Sequence, residues 1–243
     1  MNYTKLQELL INFIKKQAGN KNLVLGLSGG IDSALVAHLC KMAVNERIFT
    51  LLMPTKNSNK QNLDDALKLC KTLQIHHEVI YIDEILQSFE KVSKDLNLIR
   101  KGNFTARIRM SLLYDYSALK NALVVGTSNK SELMLGYGTI YGDLACAFNP
   151  LATLYKSEIF EFAKFIGVHE NFINKAPSAD LWPNQSDEND LGYTYKQLDE
   201  VLKAIENNEN LDHFDENLKN LVLKRIKENA FKRKLPTTLE SII

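Results

Sequence analysis

The sequence predicts a doubly wound α/β fold on a mostly parallel sheet, and three observations predict it. Short apolar runs alternate with segments whose apolar residues recur at helical spacing. The run Ala122-Leu123-Val124-Val125-Gly126 is apolar throughout, as a strand covered on both faces requires. The turn Ser28-Gly29-Gly30-Ile31-Asp32-Ser33 follows the first such run directly, where these folds gather their ligands.

The elements follow in order. Residues 1–10 read as an amphipathic helix and lack the long apolar core of a secretory signal. Leu23 to Leu27 predicts the first strand, and Ala34 to Val44 the helix after it. Arg47 to Met53 predicts a second strand, ended by Pro54, with a helix from Asn62 to Leu73. His77 to Ile82 makes a third strand. A long helix from about Ala106 to Lys120 leads into the fourth, Ala122 to Gly126. Strands and helices in alternation require right-handed crossovers and a parallel sheet.

Beyond Pro150 the pattern is helical, over Thr153 to Ile166, Thr194 to Asn207 and Asp215 to Phe231. The stretch from Ala176 to Gly192 carries Pro177, Pro183 and the acids Asp180, Asp187, Glu188 and Asp190, and is long enough to serve as a lid. A single domain over 1–243 is expected, with a nucleotide-binding core at about 20–150 and a helical part at about 151–243.

Bulk composition excludes several classes. Hydrophobic residues make up 45% of the 243 and charged residues 24%, so the chain can bury a core and is not disordered. A formal net charge of +1 gives no global attraction to nucleic acid. No segment is apolar enough to span a membrane. Cys40, Cys70 and Cys146 are odd in number and widely spaced, which argues against disulfides and zinc and fits a cytoplasmic location.

The turn after the first strand carries the chemistry. Its glycine pair lets the backbone approach an anion, while Ser28, Ser33 and the first amides of the following helix supply donors. A plain strand-to-helix turn with Ser or Asp as cap explains the residues one by one, but not the whole string. The spacing of a Walker loop is absent, which removes support for transfer of a γ-phosphate. Asp32 suits Mg²⁺, which prefers carboxylate and phosphate oxygens, and Glu132 after the fourth strand is the candidate partner. Glu132 as a helix-start acid favoured by the dipole is the alternative.

The string Ser-Gly-Gly-x-Asp-Ser resembles the loop of the ATP-pyrophosphatases, which cleave ATP between its α and β phosphates. Further segments narrow the likeness. Gly102-Asn103-Phe104-Thr105-Ala106-Arg107-Ile108-Arg109-Met110, Gly126 to Glu132, Gly136-Tyr137-Gly138-Thr139, Tyr141-Gly142-Asp143, Pro150 to Lys156, and Pro177-Ser178-Ala179-Asp180-Leu181-Trp182 together resemble the NAD synthetases over most of the chain.

That resemblance implies adenylation of the nicotinate carboxylate of deamido-NAD by ATP, followed by displacement of AMP by ammonia. It implies that Gly26, Leu27, Ser28, Gly29, Gly30, Ile31, Asp32, Ser33, Thr127, Lys156 and Ser178 bind ATP, and that Asp32 and Glu132 bind Mg²⁺. Arg107 and Lys232 are implied contacts of deamido-NAD, while Asp143 and Lys156 are the implied catalytic residues. For Lys156, Arg107 and Lys232 an ordinary solvated position is the alternative, and for Asp143 a turn-closing carboxylate. The resemblance also implies a homodimer, with an interface near the Arg107 helix. Free ammonia is the expected nitrogen donor, because no glutaminase domain accompanies the sequence.

The chain departs from the family pattern at three places. Ile140 stands where many members carry Lys, Ala147 where they carry Asp, and Phe231 where a His precedes the Lys-Arg pair. All three concern how the nicotinate end is held rather than how ATP is cleaved. A tRNA-modifying adenylase and a non-catalytic nucleotide sensor are the competing functions. The first needs reactive cysteines and a basic surface, and the second leaves the paired acids without a purpose.

Overall fold

The structure, a computed structural model, describes residues 1–182 and 185–239. Pro183 of the expected lid and the last four residues of the expected domain therefore lie outside the described residues. Four strands, β1 (Asn22–Gly26), β2 (Ile48–Leu52), β3 (His76–Val79) and β4 (Ala122–Val125), form one sheet in the order β3-β2-β1-β4. Every pairing is parallel, with Leu25 opposite Thr50 on one side and Val125 on the other.

The strand order positions the site. From β1 the chain steps outward to β2 and β3, then returns to the far side of β1 as β4. The carboxyl ends of β1 and β4 thus flank a topological switch point, where a crevice opens because the connections leave in opposite directions.

Alternation along β1 divides the core. Leu23 and Leu25 face a layer formed by α1 (Tyr3–Ala18), α2 (Ile31–Val44) and α3 (Lys60–Leu73), through Leu10, Ile14, Leu35, Leu39 and Leu69. Val24 faces the opposite layer with Leu51 and Val124, covered by Leu86 of α4 (Asp83–Val92) and Ile108 of α5 (Leu98–Leu119). Both faces are covered, which explains why β4 reads as an unbroken apolar run.

Beyond the sheet come α6 (Lys130–Leu135), α7 (Lys156–Ile166) and α8 (Glu170–Ile173). They are followed by α9 (Asp187–Leu191), α10 (Tyr195–Glu206) and α11 (Glu216–Glu228). Leu135, Tyr155, Leu191, Tyr195, Leu198, Leu218 and Val222 close a third apolar cluster, which seats α9 to α11 on α6.

The elements differ most from expectation at three places. α4 was not anticipated, and α5 starts at Leu98 rather than near Ala106. Asn97 caps it by accepting the Arg100 amide at 2.9 Å, although Leu98 and Ile99 are exposed and blur the apolar period. β3 ends at Val79, yet the amide of Ile80 still donates to the Leu52 carbonyl at 2.8 Å. Within the 176–192 stretch Ser186 caps the short helix α9.

Candidate active site

A cavity of about 690 Å³ occupies the switch point. The Gly26 to Ser33 turn, Gly126 to Ser128 and Glu132 after β4, the inner face of α5, and the 176–182 segment line it.

The turn is built by close approach. Gly29 has φ +84°, and a Cβ there would lie 2.3 Å from the Asn62 carbonyl oxygen at the start of α3, so only glycine fits. The Ser28 and Ser33 hydroxyls are 3.0 Å apart, and the Gly30 amide donates to Ser28 Oγ at 3.2 Å. Ser33 Oγ donates to the Gly30 carbonyl at 3.1 Å. Leu27 and Ile31 sink their side chains into the core, so their part in the site is backbone. The first amides of the fourteen-residue helix α2 open onto the same space and favour an anion.

Across the crevice, Asn129 and Glu132 form a reciprocal cap on α6, the Asn129 side chain accepting the Glu132 amide at 3.0 Å and Glu132 Oε2 the Asn129 amide at 3.2 Å. The Asn129 side-chain amide also donates to Asp32 Oδ1 at 3.1 Å, joining the two strand ends. Lys156 arrives from the first turn of α7. Its Nζ pairs with Asp32 Oδ2 and lies 3.6 Å from Glu132 Oε1. Lys156 is 2% exposed, and its carboxylate neighbours raise its pKa against the effect of burial. Burial, then Asp32, pushes the Glu132 carboxyl up to about 8, more than Lys156 offsets. Asp187 of α9 adds to this excess of negative charge and is held by the hydroxyls of Tyr137 and Tyr195, each at 3.2 Å.

A second group lines the same cavity. Asp143 accepts the Thr139 amide at 2.9 Å, and enclosure by the cavity walls raises its pKa even though water reaches the side chain. Lys232 donates to the carbonyls of Gly136 and Gly138 at 2.8 and 2.9 Å, and burial lowers its pKa while Asp143 opposes that change. Thr127 lies on the floor beside Ser128. Ser178 lines the lid side and receives the Asp180 amide at 3.1 Å.

Arg107 stands apart from these. It does not line the cavity but turns its guanidinium to the Ile140 carbonyl, at 3.3 and 3.4 Å. Arg109 lines it instead, tied to the Met53 carbonyl at 3.1 Å. The two sit roughly 200° apart around α5, on opposite flanks of the face formed by Asn103, Ala106 and Met110. Arg109, Lys175 and Asp187 were not among the expected site residues. Helical spacing from Asn103 and Met110 admits either arginine, and the other two depend on contacts far along the chain.

A parallel sheet with a Ser-Gly-Gly-x-Asp-Ser turn on its first strand, facing an acid pair bridged by lysine at the switch point, defines the ATP-pyrophosphatase class. Within that class the chain belongs to the NAD synthase family, whose family model matches residues 2–236. It is 59% identical to the NH(3)-dependent NAD(+) synthetase of Campylobacter jejuni (strain RM1221), over 99% of this chain and all of that one. The enzyme of the same name from Helicobacter pylori (strain HPAG1) is 47% identical over 97% of this chain and 95% of its own. Among solved structures, the NH3-dependent NAD synthetase of C. jejuni superimposes with a TM-score of 0.87 at 52% identity, covering 98% of this chain and 100% of that one. NMN synthetase from Francisella tularensis superimposes at 0.90 with 33% identity, covering 98% of each chain.

Proposed function

We propose that this protein is an ammonia-dependent NAD synthetase, which amidates deamido-NAD at the expense of ATP and releases AMP and pyrophosphate. The observation that carries the reading is Lys156 set between Asp32 and Glu132, beside the Ser28 to Ser33 turn. The near full-length likeness to NH(3)-dependent NAD(+) synthetases supports it.

The chemistry follows from the groups in place. A nicotinate carboxylate oxygen attacks the α-phosphorus of ATP, and the bond to the β-phosphate breaks. The turn amides and the hydroxyls of Ser28 and Ser33 receive the departing pyrophosphate, and Lys156 offsets charge on the phosphates. Thr127 and Ser178 hold the nucleotide from the floor and the lid. In the second half, ammonia attacks the activated acyl carbon, AMP leaves, and Asp143 holds the incoming ammonium and takes its proton. Lys232 and Arg107 contact the dinucleotide, which extends from the cavity past the Ile140 carbonyl.

Asp32 and Glu132 fit Mg²⁺, because two carboxylates share a single lysine between them and carboxylate with phosphate oxygens suits that ion. Among the described residues no three acids, histidines or cysteines converge on one point, so the remaining ligands would be phosphate and water. Bound there, Mg²⁺ supplies charge neutralisation for the leaving pyrophosphate.

The chain acts as one domain, since Lys156 of the helical part completes a site begun by Asp32 of the sheet part. Exposed Val92, Leu98, Ile99 and Leu119 on α4 and α5 support a homodimer across that layer. Among the described residues no helix is long and apolar enough to cross a membrane, and all three cysteines are free. A cytoplasmic enzyme that uses neither membrane nor nucleic acid is part of the same proposal.

Incubation of the protein with deamido-NAD, MgATP and ammonium tests the reading. NAD, AMP and pyrophosphate in equal amounts support it, and ADP with phosphate, or no NAD from folded protein, overturns it. Nicotinate mononucleotide run in parallel tests the substrate suggested by the likeness to an NMN synthetase, and the dinucleotide is expected to react faster.

A further inference from the structure

The pyrophosphate turn is held by a lysine of the cavity wall that the chemistry above does not use. Lys175 follows α8 at the head of the lid segment. Its Nζ lies 2.6 Å from Asp65 Oδ2, 3.0 Å from Asn62 Oδ1 and 3.2 Å from the Gly29 carbonyl oxygen. Its hydrogen bonds go to Asn62 and to the Gly29 carbonyl, and the Asp65 carboxylate beside it balances its charge.

The acceptors are themselves fixed. Asp65 is 2% exposed and also accepts from the side-chain amides of Gln61 at 2.9 Å and Asn171 at 3.0 Å. Burial raises its pKa, but the bonds from Lys175, Asn171 and Gln61 outweigh burial and hold the carboxyl below its ordinary value. Asp65 and Asn62 belong to α3, and Asn171 of α8 holds Asp65 in turn, so Lys175 is anchored to α3 before it reaches the turn.

What it holds is one peptide plane. In a trans peptide the carbonyl and the amide point opposite ways, so the direction of the Gly29 oxygen sets that of the Gly30 N–H. With the oxygen on Lys175, the Gly30 amide faces Ser28 Oγ and the cavity. Glycine at positions 29 and 30 leaves this plane free to turn, and the turned plane would present a carbonyl oxygen to the pyrophosphate.

We propose that Lys175 is a positioning residue for the reaction: it holds the Gly29 carbonyl on its own ammonium, so that the Gly30 amide stays on Ser28 Oγ and the Ser28 and Ser33 hydroxyls meet pyrophosphate. The proposal rests on the adenylation reading. It differs from the role of Lys156, which faces the reacting phosphates, because Lys175 acts through the backbone of the turn.

Calorimetric titration of the full chain with magnesium pyrophosphate, and separately with adenosine, tests it. Lys175→Met is expected to weaken pyrophosphate binding about tenfold, the loss of one charged hydrogen bond, with adenosine affinity unchanged. Lys175→Gln keeps a donor near the Gly29 carbonyl and is expected to lose less. If the methionine variant does not fold, the glutamine variant decides by the same comparison. Pyrophosphate affinity equal to the parent in the folded variants, or a parallel loss for adenosine, overturns the proposal. A parent protein that binds no pyrophosphate overturns the adenylation reading itself.

Discussion

Lys156 reaches from α7 to pair with Asp32 at the head of α2 and stands 3.6 Å from Glu132 of α6, so one ammonium joins three helices at the mouth of the sheet. Removing it leaves two largely buried carboxylates facing each other. Lys156→Met is expected to lower kcat by about a hundredfold, the usual cost of losing one group that stabilises developing charge. It is also expected to destabilise the fold by about 3–5 kcal/mol, because the acids lose their counter-charge. Added Mg²⁺ should recover part of the lost melting temperature. No such recovery would show that the two carboxylates do not form a common cation site.

The same pair sets the metal dependence. Asp32→Asn and Glu132→Gln each keep shape and remove a charge, so turnover in either should need higher Mg²⁺ than in the parent. A shift of roughly tenfold in the half-saturating concentration corresponds to about 1.4 kcal/mol of lost ion binding. Glu132→Gln also replaces the carboxylate that accepts the Asn129 amide in the reciprocal cap, so the melting temperature of that variant is the control. Unchanged Mg²⁺ dependence in both variants would remove them from the metal site.

Much of this arrangement was legible in the sequence because it is local. The strand, the turn and the first residues of α2 are contiguous, and Asn129 to Glu132 follow β4 after three residues, so both walls of the crevice could be read from short segments. Lys156, Asp143 and Ser178 came with the family resemblance, since each needs a contact across the chain. The motif around Arg107 was plain, but the flank of α5 on which each arginine falls depends on how the helix is rotated against β1 and β4, and packing rather than pattern decides that. Asp65 and Lys175, 110 positions apart in sequence, carried no local signal at all.

The two arginines give a separable test. Arg109→Met removes a cation from the cavity and should raise KM for ATP several-fold. Arg107→Met acts beyond the Ile140 carbonyl and should raise KM for deamido-NAD with little change for ATP. Steady-state kinetics with each substrate varied in turn distinguishes them, and the reverse assignment would place the dinucleotide inside the cavity instead.

Gly29 and Gly30 differ in what they tolerate. Gly29→Ala places a methyl group against the Asn62 backbone at a positive φ, and is expected to cost about 1–3 kcal/mol and to abolish saturable ATP binding. Gly30 has φ −92°, and its Cβ would meet only Ser28 Oγ at 3.4 Å, so Gly30→Ala should melt within about 1 kcal/mol of the parent. Denaturant unfolding of the two variants checks the contrast. Equal losses would mean that the turn is held by something other than its contact with α3.

Acid sensitivity has a specific source away from the site. His38 lies in α2 at 9% exposure, its Nε2 is buried without a hydrogen-bond partner, and burial lowers its pKa from 6.5. The folded protein therefore keeps His38 neutral at a pH where the unfolded chain already binds the proton. Stability from this residue is complete above the unfolded pKa and is lost as pH falls from about 6.5 toward the lower folded value, with a slope of at most about 1.4 kcal/mol per pH unit. Paired carboxylates such as Asp65 also lose stability in acid, but only as pH falls below the ordinary carboxylate range, since its pKa is lowered rather than raised. The two windows are thus separate. In His38→Gln, which cannot take up a proton, unfolding free energy should be flatter between pH 6.5 and 5 than in the parent, and the two curves should run parallel above pH 7. Parallel curves across the whole range would show that His38 is protonated in the fold through a partner that the buried Nε2 does not show.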